Sequence, residues 1–140
     1  MKKIVIFASG SGTNAENIIK HFKSTSTGKV VSVFTNNPNA KVIERAKNFQ
    51  IPTEIFSKEE LYSGKVLQKL IAIAPDLIVL AGFLLKFPKN IVESYPNAII
   101  NIHPALLPNY GGKGMYGMNV HRAIVENKEK ETGITIHYVN

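Results

Sequence analysis

The sequence predicts an α/β fold: a doubly wound, mostly parallel open sheet with helices on both faces. Three observations point to it. Short apolar runs alternate with amphipathic segments along the chain, the rhythm of repeated βαβ units. The run Leu77-Ile78-Val79-Leu80-Ala81 is continuously apolar, as a strand covered on both faces is. The length of 140 residues suits one domain with a sizeable core.

The elements follow in order. Residues 4–8 read as a first strand. Residues 14–22 carry Ile18, Ile19 and Phe22 at helical spacing. Residues 30–34 form a second strand. In residues 40–49, Val42, Ile43, Ala46 and Phe49 share one helical face. A short third strand spans 53–56. Ser57-Lys58-Glu59-Glu60 has capping-box form and opens a helix running to about Ile73. Pro75-Asp76 marks the turn into the fourth strand, 77–81. Phe87-Pro88 starts a short helix over 88–94, with proline at or near its first position. Residues 98–102 give a fifth strand. A glycine-rich loop over 111–117 and a helix over 118–127 precede a final strand, 134–139. The chain then stops on Asn140 with no closing helix, so it reads as one domain lacking its C-terminal part.

Composition narrows the function classes. Hydrophobic residues make up 44% of the chain and charged residues 19%, the balance of a soluble globular protein. There is no cysteine, which excludes a disulfide framework and a thiolate metal site. The opening Met1-Lys2-Lys3 and apolar run are broken too early by Ser9-Gly10-Ser11-Gly12 for a signal peptide, and no stretch is long enough to span a membrane. A cytoplasmic protein is the expectation. The net charge of +7 favours anionic partners, but the lysines are scattered and no aromatic-interleaved basic stretch suits nucleic acid. A phosphorylated or carboxylated small molecule fits better. Asp76 is the only aspartate.

Two segments carry the chemistry. Ser9-Gly10-Ser11-Gly12-Thr13-Asn14 joins the first strand to the first helix, where glycines and a helix terminus suit an anion and Thr13 and Asn14 add donors or a cap. Residues 10–15 also fit G-x-G-x-x-A. A dinucleotide site expects an acidic residue about twenty positions on, and Thr35-Asn36-Asn37 stands there instead. No Walker lysine follows. A single phosphate is the better expectation. The second segment is Asn101-Ile102-His103-Pro104, at a strand end. Residues two apart project to one side. An amide that donates without changing charge and an imidazole that carries a proton near neutral pH suit a carbonyl becoming a tetrahedral oxyanion. Strand ends of this kind are where ligands bind in open α/β sheets.

Other residues give weaker signals. Gly82 lets a ligand pass close to the backbone, and Leu84, Leu85 and Phe87 could line a flat apolar pocket or simply pack in the core. His121 reads as a surface or capping residue and His21 as exposed. His137 alternates with Ile136 and Tyr138 and could face the site. Four scattered histidines with one aspartate form no metal constellation.

Taken together, G-S-G-T-N after the first strand, A-G-F before a hydrophobic loop, and N-I-H-P-A-L-L-P after the fifth resemble the phosphoribosylglycinamide formyltransferases, over essentially the whole chain. These belong to the folate-dependent formyltransferases, whose fold is Rossmann-like. N-x-H-P-x-L-L-P alone fits that wider group, including methionyl-tRNA formyltransferase and formyltetrahydrofolate deformylase. The G-S-G-T-N loop selects the ribonucleotide enzyme. The resemblance implies formyl transfer from 10-formyltetrahydrofolate to glycinamide ribonucleotide in purine synthesis, without a metal. It implies that Gly12, Thr13 and Asn14 hold the phosphate and that Gly82 lies beside the substrate. Leu84, Leu85, Lys86 and Phe87 would contact the pterin, together with Asn101. Asn101 and His103 would be the catalytic pair. The family's third catalytic member, an aspartate, would fall shortly beyond Asn140, and Asp76 sits at the wrong strand end to replace it. The 140-residue chain alone is therefore expected to be a poor catalyst. The loop at 111–118 is longer and richer in glycine than the family pattern. The competing readings are another folate-dependent formyltransferase or deformylase, and a phosphate-binding α/β module without chemistry. Oligomeric state cannot be read.

Overall fold

In the computed structural model, residues 1–103 and 135–139 are described. Eleven elements follow in order: β1 (Lys2–Phe7), α1 (Thr13–Lys23), β2 (Gly28–Thr35), α2 (Lys41–Asn48), β3 (Thr53–Ile55), α3 (Lys58–Ser63), α4 (Lys65–Ile73), β4 (Leu77–Ala81), α5 (Lys89–Ser94), β5 (Ile99–His103) and β6 (Thr135–Tyr138). The six strands form one sheet in the order β3-β2-β1-β4-β5-β6. The neighbouring pairs from β3 through β5 are parallel. β6 runs antiparallel to β5. The strand order reverses between β1 and β4, and such a switch opens a crevice at the carboxyl ends of the strands.

Alternation along the strands builds two cores. Ile4 and Ile6 of β1, with Leu77 and Val79 of β4, pack against Ala15, Ile18, Ile19 and Phe22 of α1 and Val42 and Ala46 of α2. Val5 and Phe7, with Ile78 and Leu80, pack against Leu61, Val66, Leu70 and Ile91 of α3, α4 and α5. Every residue of β4 is buried, because helices cover both faces of that central strand. Phe7 anchors the second core. Its ring lies 5.0 Å from Phe34, 5.8 Å from Phe56, 5.4 Å from Phe83 and 4.9 Å from Phe87.

Two readings of the sequence change, and the place of the proline at the start of α5 becomes specific. The helix expected from Ser57 to about Ile73 is two helices. Gly64 takes φ 99°, a left-handed conformation that ends α3, and it serves as the cap of α4. Periodicity runs through that glycine because α3 and α4 bury the same face, so the pattern alone gives no break. The capping box at the start of α3 is present: the Glu60 N–H donates to Ser57 Oγ at 3.1 Å, and the Ser57 N–H donates to Glu60 Oε1 at 2.9 Å. Pro88 stands one position outside α5, as its N-cap. There its carbonyl accepts from the N–H groups of Ile91 and Val92. His21 is half-buried rather than exposed, edge-on to Phe22 at 4.9 Å. The loop 111–117, the helix 118–127 and His121 fall within 104–134, which lies outside the described residues.

Asp76 is at the amino ends of the strands, as its sequence position implies. Its Oδ2 accepts from the Lys3 N–H at 2.8 Å, and its own N–H donates to the Lys3 carbonyl at 2.8 Å. The only aspartate of the chain thus clips β1 to the start of β4, at the opposite end of the sheet from the crevice.

Candidate active site

The carboxyl ends of β1, β2, β4 and β5 lie at one edge of the sheet, so parallel pairing alone gathers the turns that follow them. Gly12 is the N-cap of α1, with φ 74°. A side chain there would be strained by the backbone and blocked by packing, because a Cβ would come within 2.5 Å of Val42 Cγ2. The glycine therefore lets the turn lie directly on α2. That turn is further held by the Val42 N–H, which donates to the Gly10 carbonyl at 3.2 Å, and by Arg45 Nε, which donates to the Ser11 carbonyl. Arg45 is itself anchored by Glu16 at 3.2 Å. Thr13 is the first residue of α1 rather than its cap, and a glycine cap offers no side chain to the first amides of the helix. Thr13 Oγ1 lies 3.2 Å from Ser11 Oγ. A buried Gly12, an exposed Thr13 and a half-buried Asn14 thus stand where a helix terminus meets the crevice.

Gly82 leaves β4 in the left-handed conformation, φ 73°, with open space where a Cβ would project. The segment that follows lines a cleft of about 670 Å³, with Leu80, Phe83, Leu85, Lys86, Phe87, Lys89, Val92, Glu93, Asn101 and Val139 around it. This size and an apolar wall with a few polar groups are typical of a small-molecule site. Leu85, Lys86 and Phe87 are thus brought together with Asn101. Leu84 is not among the lining residues and is 83% exposed. Phe83 lines the cleft instead, held in the aromatic cluster by Phe7 and Phe87. Its alternation with Leu85 and Phe87 was the sequence signal for it.

Asn101 faces the cleft because of register. Phe7 pairs with Leu80, Leu80 with Asn101, and Asn101 with His137, so these residues form one row across four strands. The amide Nδ2 of Asn101 lies 3.4 Å from Nε2 of His137. The other ring nitrogen, Nδ1, lies 3.2 Å from the Tyr138 carbonyl. A hydrogen on Nδ1 directed at that carbonyl leaves Nε2 as an acceptor, as the Asn101 amide requires. His137 therefore orients Asn101. Its antiparallel pairing with β5 could not be read from the sequence. The His103 backbone ends β5 opposite Thr135. Among the described residues no group of three or more His, Asp, Glu or Cys side chains could hold a metal ion.

Fold and cleft define a class: an open α/β domain with a glycine turn at the switch point and an amide–imidazole pair at the head of an apolar cleft. The sequence profile of the formyl transferase family matches residues 2–140, and the chain belongs to that family. It is 38% identical over 146 residues to the chloroplastic phosphoribosylglycinamide formyltransferase of Arabidopsis thaliana, covering 99% of this chain and 50% of that protein. It is 35% identical over 142 residues to the phosphoribosylglycinamide formyltransferase of Escherichia coli K12, covering 97% and 65% respectively. The chain spans about half to two-thirds of the length of these curated relatives. Among solved structures, glycinamide ribonucleotide transformylase 1 of Geobacillus kaustophilus superposes with a TM-score of 0.76 at 33% identity, covering all of this chain and 75% of that one.

Proposed function

We propose that this chain holds the donor and acceptor sites for formyl transfer from 10-formyltetrahydrofolate to the amine of glycinamide ribonucleotide, a step of purine synthesis, and that the 140 residues alone catalyse it poorly. The observation that carries the reading is the convergence of the apolar cleft with the Asn101–His137 pair. The cleft walls of Phe83, Leu85, Phe87 and Val92 suit a flat heteroaromatic ring. Asn101 lines the same cleft, and its amide is the donor proposed for the formyl oxygen. The turn at Gly12, Thr13 and Asn14, together with Gly82, suits the ribose phosphate. The names of the relatives support the same substrates.

In the proposed reaction the amine nitrogen attacks the formyl carbon, and the carbonyl oxygen becomes an oxyanion. Asn101 donates a hydrogen bond to that oxygen without changing charge. A protonated His103 stabilises the oxyanion or acts as general acid for the departing folate nitrogen, which takes up the proton the amine gives up as the carbon–nitrogen bond breaks. The products are formylglycinamide ribonucleotide and tetrahydrofolate.

The test is tetrahydrofolate release measured with the ribonucleotide present and absent. Release that requires the ribonucleotide, with stoichiometric formylation of its amine, is expected, at a low rate in the 140-residue chain alone. Release of free formate without an acceptor would indicate a deformylase, and phosphate binding without turnover would indicate a non-catalytic module. Either result would overturn the proposal.

A further inference from the structure

Ser9 is buried at 5% exposure in the turn after β1, and its polar atoms join three strand ends. Its N–H donates to the Gly82 carbonyl at 3.2 Å. Its hydroxyl donates to Asn36 Oδ1 at 2.7 Å. The same hydroxyl oxygen accepts from the Leu84 N–H at 2.9 Å. The directions are forced. A backbone N–H can only donate, and a carbonyl oxygen can only accept, so the single hydroxyl hydrogen must point at Asn36. Hydrogen bonds running one way along such a chain polarise one another.

We infer that Ser9 is a positioning residue for the apolar cleft. It clamps the corner after β4 at both ends, at the Gly82 carbonyl and at the Leu84 amide, and so fixes the direction in which Phe83, Leu85 and Phe87 leave that corner. Gly82 is left-handed, and no neighbour lies within 4 Å of where its Cβ would be, so no contact on that side holds the corner. Ser9 also immediately precedes the glycine turn, which α2 and Arg45 hold independently. Loss of the hydroxyl therefore loosens the cleft and spares the turn. Asn36 sets the polarity of the clamp from the end of β2. The functional consequence rests on the cleft being the site of the folate donor.

The experiment is equilibrium binding of tetrahydrofolate and, separately, of ribose 5-phosphate to the wild type and to Ser9→Ala. Removing the acceptor of a part-buried N–H is expected to weaken tetrahydrofolate about tenfold. Ribose 5-phosphate is expected to change by no more than about twofold. Ser9→Thr, which keeps the hydroxyl, is expected to recover most of the tetrahydrofolate affinity. Asn36→Ala should weaken it in the same direction, and adding Ser9→Ala to it should cost less than the sum of the two. Amide exchange at Leu84 should accelerate in Ser9→Ala while that at Ile6 in β1 stays unchanged. Equal loss of both ligands, or unchanged exchange at Leu84, would show that Ser9 serves general stability and overturn the inference. If the wild type binds no tetrahydrofolate, the donor reading itself fails, and the role of Ser9 in the cleft fails with it. If the wild type binds it and Ser9→Ala binds it equally, only the role of Ser9 fails.

Discussion

At the scale of single residues, the contact between Asn101 and His137 is the most consequential in the crevice. At 3.4 Å it is long, yet it joins the side chain at the head of the cleft to a ring fixed by its own backbone. Replacing Asn101 by Ala should lower kcat by about 10²–10³, the cost of removing one oxyanion donor. His137→Ala should cost less, and the double variant should fall short of the sum because one group acts through the other. Steady-state kinetics of the four proteins checks this. The glycines make a second set. Gly12→Ala forces a left-handed backbone on alanine and drives a Cβ against Val42, so it should destabilise by about 1–3 kcal/mol. Gly10→Ala meets nothing within 4 Å and should be close to neutral. Urea midpoints separate the two. Equal midpoints would mean that the turn is not packed as described.

At the scale of elements, the start of α3 offers a pH test. The Ser57 backbone N–H is the main cause that holds the Glu60 carboxyl below its ordinary value of 4.5; desolvation opposes it, and the Ser57 hydroxyl and the charges of Lys69 and Lys65 add to the lowering. Folding lowers this pKa, so below 4.5 the unfolded chain binds more protons than the native one, and stability rises with pH there. The contribution is complete above 4.5 and is lost as pH falls through the folded value. Urea unfolding of the wild type and of Glu60→Gln should therefore differ at neutral pH and converge in acid. A difference that persists in acid would assign the effect to something other than the charge. The same region shows where sequence reading stops. Ser57 and Glu60 are three apart, and a capping box is a local pattern, so it was legible. The break at Gly64 was not. A glycine within an unbroken apolar period can continue a helix, and only the packing of two helices on the sheet decides that it does not.

At the scale of the whole molecule, one aromatic cluster ties the core to the cleft. Phe7 is fully buried and its ring meets four others, of which Phe83 and Phe87 also line the cleft. Phe7→Ala should cost about 3–5 kcal/mol, measured by denaturant unfolding. The milder Phe7→Leu should keep the fold and still weaken tetrahydrofolate binding, since it removes the surface on which Phe83 rests. Unchanged affinity in Phe7→Leu would show that the cleft wall is held without the core.

The sequence by itself determined the fold class, the strands to within a residue or two, and the crevice end of the sheet on which Asn101 stands. Those features follow from periodicity and from local turn chemistry, which act over a few residues. It also determined that Asp76 lies away from the crevice, because a residue before a parallel strand is at its amino end. Tertiary structure alone decided the rest. The row from Phe7 through Leu80 and Asn101 to His137 depends on register between strands far apart in sequence. The polar chain from Leu84 through Ser9 to Asn36 depends on three turns meeting. In each case the partners are brought together by closure of the sheet, and no pattern within one segment records which distant residue it will meet.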